Sequence, residues 1–193
     1  MVDVETSGLD PARDRLLAIA GIALQVDWAR RRLQVVLADS FEVVLQQDAP
    51  SPRANILLHG IGVQQQQGGV PAPRALQAFA AFAGDAPLLA FHAAFDQALI
   101  ARHVKAVLGA ELPNAWLDIE HLCAATHPAV RARALDEWLA HFGLHCASRH
   151  QAMADTLVEC ELLLRIWPRV AAECRSWREM VRLAHHHRWL PRA

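Results

Sequence analysis

The stretch Asp3-Val4-Glu5-Thr6-Ser7-Gly8-Leu9 places two acidic residues two positions apart near the start of the sequence. On a β-strand, side chains at positions i and i+2 point to the same face, so Asp3 and Glu5 would lie side by side. Carboxylates held together repel each other, and a divalent cation removes that conflict because it binds oxygen ligands. The pattern alone also fits a solvated strand edge, so it indicates a metal site only in combination with further acids.

Two later segments carry groups of the same kind. Asp96 follows the apolar run Leu88–Phe91 and would therefore lie near a strand end, where functional sites of α/β proteins collect. The same position also fits an acid in the first turn of a helix, where it interacts well with the helix dipole. His150 and Asp155 begin a further helix, and both can face one cavity, although a single histidine also fits a purely structural role.

Composition limits the class of protein. With 193 residues, 53% hydrophobic and 20% charged, the chain can bury a core and is not a disordered protein. It has no run of about 18 apolar residues and no basic-then-apolar leader, which predicts a cytoplasmic protein without a membrane span. The four cysteines lie far apart, as expected for reduced thiols. The net charge of −1 means that any nucleic-acid binding would depend on a local field and bound cations.

Hydrophobic periodicity predicts an α/β arrangement with a mixed sheet. Met1–Glu5 is too short for a full strand, although the following residues fit a strand that has just ended. Leu16–Val26 and Arg32–Leu45 form a predicted β-hairpin, and Ala49–Gly69, with its prolines and glutamine run, is expected to be a loop. The remaining predicted elements are helices at Arg74–Ala83, Phe95–Leu108, Ala134–Phe142, His150–Trp167 (ended by Pro168) and Val170–Trp189, and strands at Pro87–Phe91 and Ala115–Ile119.

The acidic segments together resemble the DnaQ-like (DEDDh) exonuclease family, which includes the epsilon subunit of bacterial DNA polymerase III. The family's first motif corresponds to Asp3–Leu9, and its third, a histidine followed five residues later by aspartate, to His150 and Asp155. The second motif is a His-Asn turn leading to Phe-Asp. Here Phe91 and His92 replace the His-Asn pair before Phe95-Asp96, so contacts to the 3′ end are expected to differ. Supporting segments are His59-Gly60-Ile61, Asp118, Leu135-Asp136 and Phe142-Gly143-Leu144.

The resemblance implies a ribonuclease H-like fold with a mixed five-stranded sheet flanked by helices. The exonuclease domain would span residues 1–167, with a truncated first strand, and residues 168–193 would form a C-terminal helical extension. His185-His186-His187 in that extension are interpreted as a solvated helix face.

The resemblance also implies a metal-dependent 3′→5′ exonuclease that releases nucleoside 5′-monophosphates from DNA or RNA by a two-metal mechanism. In this interpretation His150 is the general base, since histidine ordinarily titrates near neutral pH. The implied ligands of two Mg²⁺ or Mn²⁺ ions are Asp3, Glu5, Asp96 and Asp155. The implied substrate-binding residues are Thr6, Leu9, His59, His92 and Phe95.

Two alternatives stay open at this point. The same fold could serve as a non-catalytic nucleic-acid-binding or scaffold protein, or the enzyme could be an RNA-trimming exoribonuclease. The expected partner is a nucleic acid with a free 3′ end, single-stranded or frayed, in proofreading or in DNA repair. A polymerase and a second copy of the chain are the candidate protein partners, and no membrane is expected to be involved.

Overall fold

The computed structural model describes residues 1–188, and in that part of the chain three strands come first, followed by helices interrupted by two short strands. The strands are β1 (Val2–Thr6), β2 (Leu16–Asp27), β3 (Arg32–Val44), β4 (Leu88–Ala90) and β5 (Trp116–Asp118). The helices are α1 (Arg53–His59), α2 (Val63–Gln67), α3 (Ala72–Ala83), α4 (Ala94–Leu108), α5 (Ile119–Thr126), α6 (Leu135–Phe142), α7 (Ala152–Glu173) and α8 (Trp177–Arg188). Trp189, the predicted end of the last helix, lies outside the described residues.

Strands β1 to β3 form an antiparallel sheet in the order β1-β2-β3. The predicted hairpin is confirmed, with Asp27 opposite Arg32 at its turn. The expectation that the first residues are too few for a strand is wrong, because Val2 to Thr6 all find partners on β2. This pairing fixes Asp3 opposite Ala20 and Glu5 opposite Ala18, so both acids face the same way.

Strands β4 and β5 form a separate parallel pair, and β4 packs beside β1. Among the described residues, hydrogen bonds divide the strands into a three-stranded and a two-stranded sheet. The α/β class is confirmed, whereas the single five-stranded sheet is not. Each strand of the parallel pair has only three residues. Strand β4 therefore offers few backbone groups that could hydrogen bond to β1 and join the two sheets.

Two hydrophobic clusters lie between the strands and the helices. One contains Phe79 of α3 and Leu99 of α4 packed against β1 and β2, and the other contains Trp138 of α6 and Ile166 of α7. The helix α5, which the periodicity did not predict, begins directly after β5 and joins the second cluster through Leu122. Among the described residues no helix combines the length and the apolar character needed to cross a bilayer.

Helix α7 does not end at Pro168, so the predicted boundary is wrong. Proline lacks an N–H and leaves the carbonyl four residues earlier without its helical donor. That carbonyl belongs to Leu164, whose side chain is exposed, so water can replace the missing donor. On the buried face, Trp167 donates from Nε1 to the Arg31 carbonyl at 3.0 Å, and Val170 is fully buried. These contacts carry the helix on to Glu173.

The segment predicted as a loop at Ala49–Gly69 contains α1 and α2. Its glutamine run is not uniformly solvated, because Gln66 is buried. The Gln66 side chain donates to Ser51 Oγ at 2.9 Å and to the Ile61 carbonyl at 2.8 Å, and accepts from the Ser51 N–H at 2.8 Å. A glutamine that satisfies three buried groups holds the two short helices together.

Helix α8 packs on α5 and buries Met180 and Ala184 in the second hydrophobic cluster. His185 of the predicted solvated face is exposed, and the side chains of His186 and His187 lie outside what the structure describes.

Candidate metal-binding active site

Three elements bring the predicted acids to one cleft. Strand β1 supplies Asp3 and Glu5, and the first turn of α7 supplies Asp155, with one carboxylate oxygen of each within 4.8 Å of the others. Asp96 enters from the first turn of α4, immediately after β4. The cleft has a volume of about 430 Å³ and is lined by Asp3, Val4, Glu5, Leu9, Phe91, His92, Phe95, Asp96, Ala134, Leu135, Asp136, Arg149, His150, Asp155 and Glu159.

The acids are largely removed from solvent: Glu5, Asp96 and Asp155 are 9%, 4% and 5% exposed. Burial raises the pKa of Glu5 to about 8, with a further rise from the charge of Asp155 and an opposing effect of Arg149. Burial also raises the pKa of Asp3 and of Asp96 well above the usual range, and neighbouring carboxylates add to both shifts. The protein alone therefore leaves this cluster short of positive charge, which is the condition that a divalent cation corrects.

Asp155 is held by the segment that precedes its helix. Its Oδ2 accepts the His150 N–H at 2.8 Å, and its Oδ1 accepts from the Arg149 guanidinium and from the Cys146 thiol, the latter at 3.4 Å. Arg149 also pairs with Asp136, 2.6 Å from Nε to Oδ1. The carboxylate is thus oriented from three sides, and Arg149 supplies the cationic side chain that contacts it in this structure.

Two histidines of the cleft have left-handed backbone conformations, with φ of 58° at His92 and 62° at His150. Such values are uncommon outside glycine and occur where surrounding contacts enforce them. At His92 the backbone N–H donates to Asp118 Oδ1 at 3.0 Å, and Nε2 donates to the Arg133 carbonyl at 3.1 Å. At His150 the enforcing contact is the bond to Asp155. Both turns are therefore held in defined positions at the cleft.

The predicted substrate-binding residues divide into two groups. Leu9, His92 and Phe95 line the cleft, with Leu9 90% exposed on the loop after β1. Thr6 and His59 are not among the residues that line it. The Thr6 hydroxyl donates to the Gly8 carbonyl and so shapes the turn beneath Leu9.

His59 is buried at the end of α1. Its Nδ1 accepts the Ile61 N–H at 3.0 Å, and its Nε2 lies 3.4 Å from Ser51 Oγ. A Cβ added at the adjacent Gly60 would lie 3.6 Å from the Gln151 side chain, so this corner adjoins the segment that carries His150. This placement gives no support to a contact between His59 and substrate, because its ring nitrogens are directed at Ser51 and Ile61.

Three charged residues of the cleft were not predicted as site residues from the sequence: Asp136, which was noted only within a supporting segment, Arg149 and Glu159. Glu159 follows Asp155 by four positions on α7 and therefore points to the same side of the helix. An acid among Val158, Leu162 and Leu163, all buried, was a usable signal in the sequence. Arg149 carried no comparable pattern, because its role depends on a contact with Asp136 that lies outside the third motif.

Comparison with known proteins supports the same family. The RNase_T family, described as "Exonuclease", matches residues 1–163. A DNA polymerase III subunit epsilon-like protein of Rhodobacter capsulatus is 29% identical over 173 residues, which cover 88% of this chain and 24% of that protein. A PolC-type DNA polymerase III of Halalkalibacterium halodurans is 26% identical over 164 residues, covering 85% of this chain and 11% of the relative. The chain thus spans a quarter or less of these relatives' lengths.

Solved structures share the fold at low sequence identity. Exonuclease X, in a complex with 5′ overhanging duplex DNA, superposes with a TM-score of 0.67 at 17% identity over 95% of this chain and 97% of that one. E. coli exonuclease I, in a complex with a dA16 oligonucleotide, gives 0.68 at 16% identity over 89% of this chain and 42% of that one.

Proposed function

Because the chain belongs to the exonuclease family, we propose that it is a metal-dependent 3′→5′ exonuclease that releases nucleoside 5′-monophosphates from a free 3′ end. One observation carries the proposal. Carboxylate oxygens of Asp3, Glu5 and Asp155 lie within 4.8 Å of one another, and Asp96 and His150 line the same cleft.

The residues present fit two Mg²⁺ or Mn²⁺ ions. All four acids offer hard oxygen ligands, and their burial with few opposing charges favours a bound cation over free carboxylates. Asp3, Glu5 and Asp155 would hold one ion, and Asp3 with Asp96 the other. When bound, such ions activate a water and stabilise the leaving oxygen of a phosphodiester.

His150 is proposed as the general base that takes the proton of the attacking water. Its backbone N–H is fixed on Asp155 Oδ2, so the imidazole is carried by the same segment as a metal carboxylate. A base held on that segment keeps a constant relation to the ligand set, which proton transfer requires. The left-handed backbone at His150 is the local cost of this placement.

The substrate would enter over the apolar side of the cleft. Leu9 and Phe95 provide apolar surface for a terminal base or sugar, and His92 offers a polar edge near Arg133. The exonuclease I structure with a dA16 oligonucleotide supports single-stranded DNA as the substrate, and the exonuclease X structure with 5′ overhanging duplex DNA supports DNA more generally. The relatives named after DNA polymerase III support a polymerase as a protein partner. The proposed role is proofreading or repair in the cytoplasm.

Digestion of a 5′-labelled oligonucleotide tests the proposal. In Mg²⁺ or Mn²⁺ we expect a ladder of shortened labelled products, and in EDTA we expect none. Release of labelled mononucleotide as the first product would show the opposite polarity. Undegraded DNA and RNA in every metal, with binding retained, would support the non-catalytic alternative instead.

Matched variants separate chemistry from folding. We expect Asp3→Asn and His150→Ala to lose activity, whereas His145→Ala should digest like the parent, because His145 is exposed in the loop that precedes His150. Equal digestion by His150→Ala and His145→Ala would remove the assigned base. Parallel DNA and RNA oligonucleotides of one sequence decide between a deoxyribonuclease and an exoribonuclease, because only RNA carries the 2′-OH.

A further inference from the structure

Glu159 is an acid that the proposed metal set does not use. It lies on α7 one turn after Asp155, lines the cleft, and is 2% exposed. One of its carboxylate oxygens, Oε2, is buried and has no hydrogen-bond partner among the described residues. Leaving a buried charged acceptor unpaired is costly, so Oε2 is suited to a ligand in the cleft.

The groups around Glu159 are the proposed metal ligands. Among the charges acting on Asp3, that of Glu159 is the largest, followed by that of Asp96. On Glu159 itself the leading charges are those of Asp96 and Asp155, and the Met1 amino group opposes them. Glu159 therefore interacts electrostatically with Asp3, Asp96 and Asp155, and Asp3 and Asp96 are the pair assigned to the second ion.

We propose that Glu159 is a fifth carboxylate of the metal centre and that it serves the ion held by Asp3 and Asp96. This inference rests on the proposed two-metal function. The first ion already has three carboxylates within mutual reach, and Asp96 does not belong to that group. Glu159 would give the second position a third acid, although in the described part of the chain only Asp3, Glu5 and Asp155 converge within 4.8 Å of one another.

The charges of the cleft agree with this arrangement. Six acids line the cleft, namely Asp3, Glu5, Asp96, Asp136, Asp155 and Glu159, whereas Arg149 is the one lysine or arginine among the lining residues and pairs with both Asp136 and Asp155. The acids outnumber that cation, and bound divalent ions would offset the excess of negative charge.

Calorimetric titration of the metal-free full chain with Mn²⁺ alone tests the inference. We expect the parent to bind two ions. In Glu159→Gln the first dissociation constant should stay within about threefold, and the second should rise by about 10- to 100-fold, as is typical when a group around a metal is removed. Without metal, Glu159→Gln should melt at the same or a higher temperature, because one repelling charge has gone.

Two further variants serve as controls for the titration of Glu159→Gln. Glu161→Gln removes an exposed acid on the same helix and should bind both ions like the parent. Glu159→Asp keeps the charge but draws it back by one methylene, so an intermediate second dissociation constant is expected even if the amide variant folds poorly.

The outcomes distinguish the inference from the function on which it rests. If the parent binds two ions and both Glu159 variants bind them with unchanged affinity, the fifth-ligand role is overturned and the proposed function stands. The same holds if Glu159→Gln only lowers the melting temperature of the metal-free chain, since that marks a structural glutamate. If the parent binds no Mn²⁺ and digests nothing, the proposed function fails first.

Discussion

Removing the divalent metal should make the stability of this protein fall as the pH rises, and Glu5 should account for much of the fall. Burial raises the pKa of Glu5 to about 8 in the folded chain, from 4.5 for an ordinary glutamate. The folded state therefore holds this proton more tightly than the unfolded state does. The resulting stabilisation is complete below about pH 4.5 and is lost as the pH rises through 8.

The magnitude follows from the size of the shift. The 3.5-unit difference between 4.5 and about 8 corresponds to roughly 5 kcal/mol of unfolding free energy. Most of this, roughly 3 to 4 kcal/mol, is lost between pH 5 and pH 8. Glu5→Gln keeps the shape and polarity of the protonated side chain and cannot ionise, so it should lack this part of the pH dependence.

Urea unfolding in EDTA at several pH values from 5 to 8 measures the effect. We expect the parent to lose stability more steeply than Glu5→Gln by roughly 3 kcal/mol over this range. Glu42→Gln, which removes an exposed acid on β3, should follow the parent. Saturating Mn²⁺ should flatten the curve of the parent, because the ion then balances the carboxylate. Parallel curves for the parent and Glu5→Gln in EDTA would refute the reasoning.

Three further outcomes are expected. His150→Ala should lower kcat by about 10²- to 10⁴-fold, as for loss of a general base, yet keep the Mn²⁺-induced rise in melting temperature; loss of both would show that His150 binds metal. Gly21→Ala should destabilise by about 1 to 3 kcal/mol, because the added methyl would lie 2.5 Å from the Phe82 ring, and a Phe82→Leu background should relieve the loss in urea unfolding. Trp138→Ala should cost about 3 to 5 kcal/mol, because its ring is fully buried between helices; a change below 1 kcal/mol in the same assay would contradict that packing.

The sequence predicted most of the cleft because its acids follow local rules. Alternation along β1 places Asp3 and Glu5 on one face, and the apolar run before Asp96 marks a strand end. The five-residue spacing of His150 and Asp155 allows the His150 backbone N–H to donate to the Asp155 carboxylate. Such features need only neighbouring residues, so periodicity and motif spacing reveal them.

The sequence-based predictions were wrong where the local structure depends on contacts with residues that are distant in the chain. β1 becomes a strand because β2, some fifteen residues later, supplies its partners. Gln66 turns a polar run into a buried network only because Ser51 and Ile61 come to it. Pro168 is tolerated because Trp167 is anchored on the turn between β2 and β3. Arg149 lies in the cleft because it pairs with Asp136 and Asp155, and no sequence spacing predicts these two ion pairs.

The meeting of β1 with the start of α7 has a consequence for kinetics. Residues 3 and 155 are far apart in the chain, so the loop that joins them can close only after much of the backbone is ordered. Their like charges oppose this closure, which favours a transition state for folding in which the cleft is still open. A cation that bridges Asp3 and Asp155 would then stabilise the folded state without stabilising the transition state for folding. Divalent metal should therefore prolong the lifetime of the folded protein by slowing its unfolding, with little effect on how fast the chain folds.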